Sequence, residues 1–161
     1  MTMDGILTWM RDSTLASMII NNIWVFPTLE TLHFIGLILL MGSLLVIDLR
    51  FLGLAPRIPL NAVLAFLPLA LIGFTINLIT GILFLFSDPY SYYENLSFRL
   101  KMLTVLLAGL NALWFKLSLN LESVTTPNPG NAGMQIRLIA GISLLLWISV
   151  IVFGRMIPYL K

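Results

Sequence analysis

Four runs of this sequence are each long and apolar enough to decide its solvent before any motif is considered. Crossing the hydrocarbon core as a helix takes roughly 20 predominantly apolar residues. The sequence supplies such runs over about 27–47, 62–86, 98–119 and 136–153. They are continuous rather than alternating, which predicts helices and not the strands of a barrel. The expected fold class is all-α: an integral membrane bundle of four transmembrane helices, a single domain over 1–161. Composition agrees, with 59% of residues hydrophobic and 10% charged, against about 25% charged in an ordinary soluble domain. A water-soluble surface this poor in charge would aggregate, so the natural partner is the lipid bilayer.

The segment 1–22 is apolar but broken. Ile6, Leu7, Trp9 and Met10 are followed by Arg11, Asp12 and Ser13, and then by Leu15, Met18 and Ile19. This pattern predicts a short interfacial helix at the membrane surface. It does not read as a cleavable signal, because Asp4 precedes Arg11 and no small-residue cleavage site follows a compact apolar core. Pro27 suits the first turn of the first span. Ser87-Asp88-Pro89 ends the second span, and Thr125 to Asn131 is turn chemistry between the third and fourth. Pro68, inside the second span, is expected to kink it by removing a backbone hydrogen bond. Gly36, Gly42, Gly73, Gly81, Ala108, Gly109 and Gly141 are positions where helices could approach closely in lipid.

Four spans put both termini and the Asp88 to Ser97 loop on one side, called side A. The loops Asp48 to Leu60 and Asn120 to Gln135 then lie on side B. Arg11, Arg99, Lys101, Arg155 and Lys161 are near side A, and Arg50, Arg57, Lys116 and Arg137 near side B. Discounting Lys101 and Arg155, which fall within helical segments, side B carries more positive charge and is expected to be cytoplasmic.

Several chemistries are set aside by what is missing. The net charge is +2 with scattered basic residues, so no nucleic-acid partner is expected. Cysteine is absent, which excludes disulfides and thiolate metal sites. There is no phosphate-binding glycine loop and no zinc motif, and a single histidine excludes bis-histidine haem within one chain. Met41, Met102 and Met156 are isolated and read as core filler rather than copper ligands.

Ionisable groups inside a span cost roughly 2.5–3.5 kcal/mol each on insertion scales, so each requires a reason. Glu30 and His33 are three residues apart and share a face of the first span. At ~1.5 Å per residue, His33 lies about 9 Å beyond Pro27 along the axis. Lys101 opens the third span and Arg155 closes the fourth, both on side A. Three helices thus bring Glu30, His33, Lys101 and Arg155 to similar depth. One reading makes them a structural set, with Glu30 paired to Arg155 or Lys101. The other makes them a cofactor site for quinone or haem, with His33 as metal ligand or proton carrier. Thr75, Asn77, Thr80 and Asn111 are expected as interhelical hydrogen-bond partners. Asp48 and Arg50 read as a helix-end ion pair, and Trp24, Tyr90, Tyr92 and Tyr93 as interface belts.

Three stretches carry a resemblance. They are Glu30-Thr31-Leu32-His33-Phe34-Ile35-Gly36 running on to Ile47-Asp48-Leu49-Arg50-Phe51-Leu52-Gly53, then Asn95 to Lys101, and Gly154-Arg155-Met156-Ile157-Pro158-Tyr159. They resemble an uncharacterised family of small bacterial four-helix inner-membrane proteins. The layout is also distantly similar to copper-resistance D-type and cytochrome-b-like membrane proteins. The resemblance implies a multi-pass protein of the bacterial inner membrane, and the charge count above puts its termini on the periplasmic side. The expected function is an accessory or anchoring subunit of a redox or respiratory assembly, without catalytic activity of its own. It would associate with itself or another membrane subunit. The alternatives are a small copper or proton transporter and a purely structural, oligomerising bundle.

Overall fold

A computed structural model of the chain describes residues 2–118 and 133–160. Eight helices account for its regular structure among those residues. They are α1 (Met3–Arg11), α2 (Thr14–Asn21), α3 (Val25–Phe51), α4 (Leu60–Leu64), α5 (Leu67–Ser87), α6 (Pro89–Glu94), α7 (Leu96–Ser118) and α8 (Met134–Met156). Four segments are long and apolar enough to cross a membrane: Val25–Phe51, Leu60–Ser87, Leu96–Ser118 and Met134–Met156. The protein is an all-α, multi-pass membrane bundle. The turn sequence Thr125 to Asn131, and Lys161, lie outside the described residues.

The helices run a little beyond the expected spans, because helical geometry continues through the flanking polar residues while hydropathy falls. The N-terminal segment is two helices rather than one. Ser13 separates them, and its hydroxyl accepts a hydrogen bond from the Ala16 amide at 3.1 Å as the N-cap of α2. Leu7, Met10, Ala16 and Ile19 turn inward, and the two helices pack against α3, α5 and α6.

Pro68 does more than kink the second span. It occupies the first turn of α5; Ala65 and Phe66 before it keep right-handed helical dihedrals, but the regular hydrogen-bond ladder is interrupted between Leu64 and Leu67. A proline ring clashes with the carbonyl four residues earlier, here Leu64, and cannot donate to it. The helix therefore restarts with Pro68 where no intrahelical partner is needed.

In lipid the outward side chains need no burial, and Phe34, Ile38, Leu71, Leu106 and Leu145 are all exposed along the spans. Cohesion then comes from close packing and polar contacts. The most extensive packing is α3 on α5 and α7 on α8, and α3 against α8 joins the pairs. The α3–α5 crossing is backbone against backbone. A Cβ on Gly73 would lie 2.6 Å from the Gly36 carbonyl oxygen and 2.6 Å from the Leu40 amide nitrogen. Gly42 and Gly109 are different, since a Cβ on either would meet nothing within 4 Å among the described residues. They do not mark close approaches within this chain.

Two apolar clusters fill the interior. Leu40, Ala70, Ala108, Trp147 and Val150 form one. Ile47, Phe51, Val63 and Ala140 form the other, toward side B. At side A, Asn95 ties two spans together. Its carbonyl oxygen accepts from the Phe98 amide at 3.0 Å, capping α7, and its Nδ2 donates to the Ile157 carbonyl at 2.9 Å. This fixes the start of α7 against the end of α8, and so the height of Lys101 relative to Gly154.

Candidate functional site

His33 is held by its neighbour on α5. Its Nδ1 lies 2.7 Å from Thr80 Oγ1, while the same hydroxyl donates to the Ile76 carbonyl at 2.7 Å. A hydroxyl has one hydrogen. With that hydrogen spent on Ile76, Thr80 must accept from His33, so the proton of the neutral ring is on Nδ1. Nε2 is then the bare nitrogen, and it has no partner among the described residues. Phe84 packs edge-on against the imidazole, with ring centroids 5.5 Å apart.

Lys101, on α7, is the charged neighbour that acts on His33. Its chain crosses Gly154 of α8, where a Cβ would come within 3.6 Å of both Cε and Nζ. Its ammonium has no hydrogen-bond or ion-pair partner among the described residues. On the opposite side, a Cβ on Gly81 would lie 4.0 Å from the imidazole Cε1. All four spans thus contribute to one place, with Gly81 of α5 beside the imidazole, Gly154 of α8 beside the lysine, and His33 and Lys101 supplying the polar atoms. Both polar side chains are half-buried. A lone-pair nitrogen and an unpaired ammonium can together hold a group with an acceptor at one end and a donor at the other.

Glu30 and Arg155 stand apart from this pair. Glu30 is exposed and lies close enough to Tyr92 for its charge to act on the phenol. Arg155 is exposed too; it donates to the Tyr159 hydroxyl at 3.4 Å and lies over that ring at 5.7 Å. The expected ion pair of Glu30 with Arg155 or Lys101 is therefore not formed, and the ion pair present among the described residues is Arg11–Asp12 at 3.0 Å. Similar depth did not bring Glu30 and Arg155 together: Arg155 turns to Tyr159, and Glu30 stays exposed.

Among the deeper polar residues, Thr80 and Asn111 do bond across helices, Asn111 donating to the Ile139 carbonyl at 3.1 Å. Thr75 and Asn77 instead bond within α5, to Leu71 and Gly73. The tyrosines of α6 meet the N-terminal helices and α7. Tyr90 bonds Thr8 at 2.8 Å and lies under Arg11, and Tyr93 lies under Arg99.

The largest departure from expectation is at Asp48. It is not paired with Arg50 at a helix end. Both residues are buried, each 4% exposed, and residues two apart on a helix point different ways. Arg50 donates its Nε to the Ile58 carbonyl at 2.7 Å. Asp48 instead reaches Ser143 of α8, and its Oδ2 is buried with no partner. Ending the first span at its first charge hid this. The inward positions Leu40, Ser43, Ile47 and Phe51 recur at helical spacing past that charge, and they were the available signal.

No family model, curated protein or solved structure matches the chain.

Proposed function

We propose that the chain is an accessory, anchoring membrane subunit of a redox assembly, with no catalytic activity of its own. It would hold a quinone-type head group between His33 and Lys101. The observation that carries this is the pairing of a half-buried, unpaired ammonium with an imidazole whose tautomer Thr80 fixes. Lys101 would donate to a quinone carbonyl oxygen, and His33 Nε2 would accept the proton of a quinol hydroxyl. Hydrogen bonds to charged groups contribute about 1.5–3 kcal/mol each, enough to orient a head group that the lipid already concentrates. A haem would need a second axial ligand from another subunit, since His33 is the sole histidine. A copper centre at His33 would need its further ligands from elsewhere too, because the described residues bring no three His, Asp or Glu side chains together. On this reading the protein resides in the bacterial inner membrane with its termini toward the periplasm. Its apolar outer faces would contact lipid, a second copy or another membrane subunit.

The test is quinone-analogue binding to the protein purified in mild detergent, with its optical spectrum and metal content recorded. Binding should weaken by about tenfold or more in Lys101→Gln and in His33→Gln, the loss of one charge-assisted hydrogen bond, with folding retained. Unchanged binding in both variants, or a stoichiometric haem or copper in the wild type, would overturn the quinone assignment.

A further inference from the structure

A second polar place lies buried toward the side B end of the bundle, and nothing in the His33–Lys101 site uses it. Asp48 of α3 meets Ser143 of α8. One turn from Ser143 is Ile139, whose carbonyl accepts from Asn111 of α7. Ser43 lies on the inward face of α3 between Leu40 and Ile47. Asp48, Ser43 and Asn111 are 4%, 2% and 7% exposed. Each keeps one buried oxygen without a partner: Asp48 Oδ2, Ser43 Oγ and Asn111 Oδ1. Ile47 and Phe51, which flank Asp48 along α3, belong to the apolar cluster with Val63 and Ala140. Along α8, Ser143 is nine residues from Met134, about 13 Å at ~1.5 Å per residue.

Bare buried oxygens are costly, because an unmet polar group in an apolar interior forfeits its hydration. A carboxylate there is more costly still unless a cation faces it. The charged groups on the surrounding elements are engaged or lie outside. Arg50 is committed to the Ile58 carbonyl. Arg57, Lys116 and Arg137 are exposed, with Arg137 engaged and its guanidinium alongside Gly53. Helices α4 and α5 bring no titratable side chain. What such a carboxylate lacks is one hydrogen.

We propose that Asp48 of α3, with Ser143 of α8 beside it, is a proton-binding site inside the bundle. Protonation forms one O–H bond at Oδ2 as one O–H bond of a hydronium ion breaks, leaving water, and converts the carboxylate to a neutral acid. Release returns that proton to water. Neutral Asp48 can donate where the carboxylate could only accept. A carboxyl so placed carries a proton across part of the span without carrying a buried charge.

The test uses the full chain in liposomes and needs no ligand beyond a hydrophobic carbodiimide, which attacks protonated carboxyls in apolar surroundings. The wild type should be modified at Asp48, located by mass spectrometry of its peptides, and less so as the pH is raised. Infrared spectra of the unmodified wild type should show the carbonyl stretch of a protonated acid, absent in Asp48→Asn. His33→Gln and Lys101→Gln should label normally, which separates this site from the quinone reading. An infrared spectrum holding only carboxylate bands over the whole folded pH range would overturn the proposal whether or not Asp48→Asn folds. So would labelling confined to Glu30 or Asp12. Protection of Asp48 by sodium at constant pH would assign the oxygens to a metal cation instead.

Discussion

His33 and Asp48 are polar residues on one helix, 15 positions apart (48 − 33) and so about 22 Å apart at ~1.5 Å per residue, yet they are solved in opposite ways. His33, near side A, is pinned by one hydrogen bond and left open beside Gly81. Lys101 reaches the same place from α7. Asp48 has no such opening. It is buried beside Ser143 and the cluster of Ile47 and Phe51, with one carboxylate oxygen unpartnered. In lipid, the packing around a polar group decides whether it stays open to a ligand or must be neutralised where it stands.

The strongest way to break the contrast is to disturb the contact that supports only the open region. Gly73→Ala places a Cβ 2.6 Å from the backbone of α3, and overpacking of this kind costs about 1–3 kcal/mol. Thermal unfolding in detergent should fall accordingly, and quinone-analogue binding should drop as Thr80 moves from His33. Asp48 contacts α8 rather than α5, so its carbodiimide labelling should persist. Gly109→Ala, which meets nothing, is the control and should be silent.

A smaller effect sharpens the same contrast. Asn95→Ala removes both the cap of α7 and the tie to Ile157. Losing an N-cap costs about 1–2 kcal/mol, seen as a lower unfolding temperature. Lys101 then loses its register with Gly154, so analogue binding should weaken more than stability alone explains.

The open region was the more legible of the two in the sequence. Hydropathy marks spans because lipid selects for it along the whole helix, and the depth of His33, Lys101 and Arg155 follows from counting residues. Counting gives height but not azimuth. Glu30 and Arg155 therefore looked like partners, yet Arg155 turns to Tyr159 and Glu30 stays exposed. Pro68 announced a disturbance, but whether a helix bends or restarts depends on whether its neighbours can satisfy the freed carbonyls. Asp48 was misread for a related reason. Its height was set by ending the span at the first charge, although Phe51 continues the buried face of the helix beyond it.

The smallest expected effect concerns the loop beneath the open region. Burial, with Asp88 and Glu30 adding repulsion, pushes the Tyr92 phenol above its ordinary value of 10.0. An acid with a raised folded-state value contributes stability that is fully present below the unfolded value and is lost as the pH climbs through the folded one. Unfolding temperature should therefore decline above about pH 10, and Tyr92→Phe should flatten part of that decline. The same decline in wild type and variant would remove Tyr92 from the account.

The central claim is that one polar region is open to ligands and the other sealed, and the absence of native cysteine makes it directly measurable. Single cysteines at Gly154, beside Lys101, and at Ser143, beside Asp48, can be exposed to a water-soluble maleimide in sealed vesicles of known orientation. The account predicts labelling at Gly154→Cys from the side that carries the termini, and none at Ser143→Cys until the protein is unfolded. Equal labelling at the two positions, or labelling of Ser143→Cys alone, would contradict it.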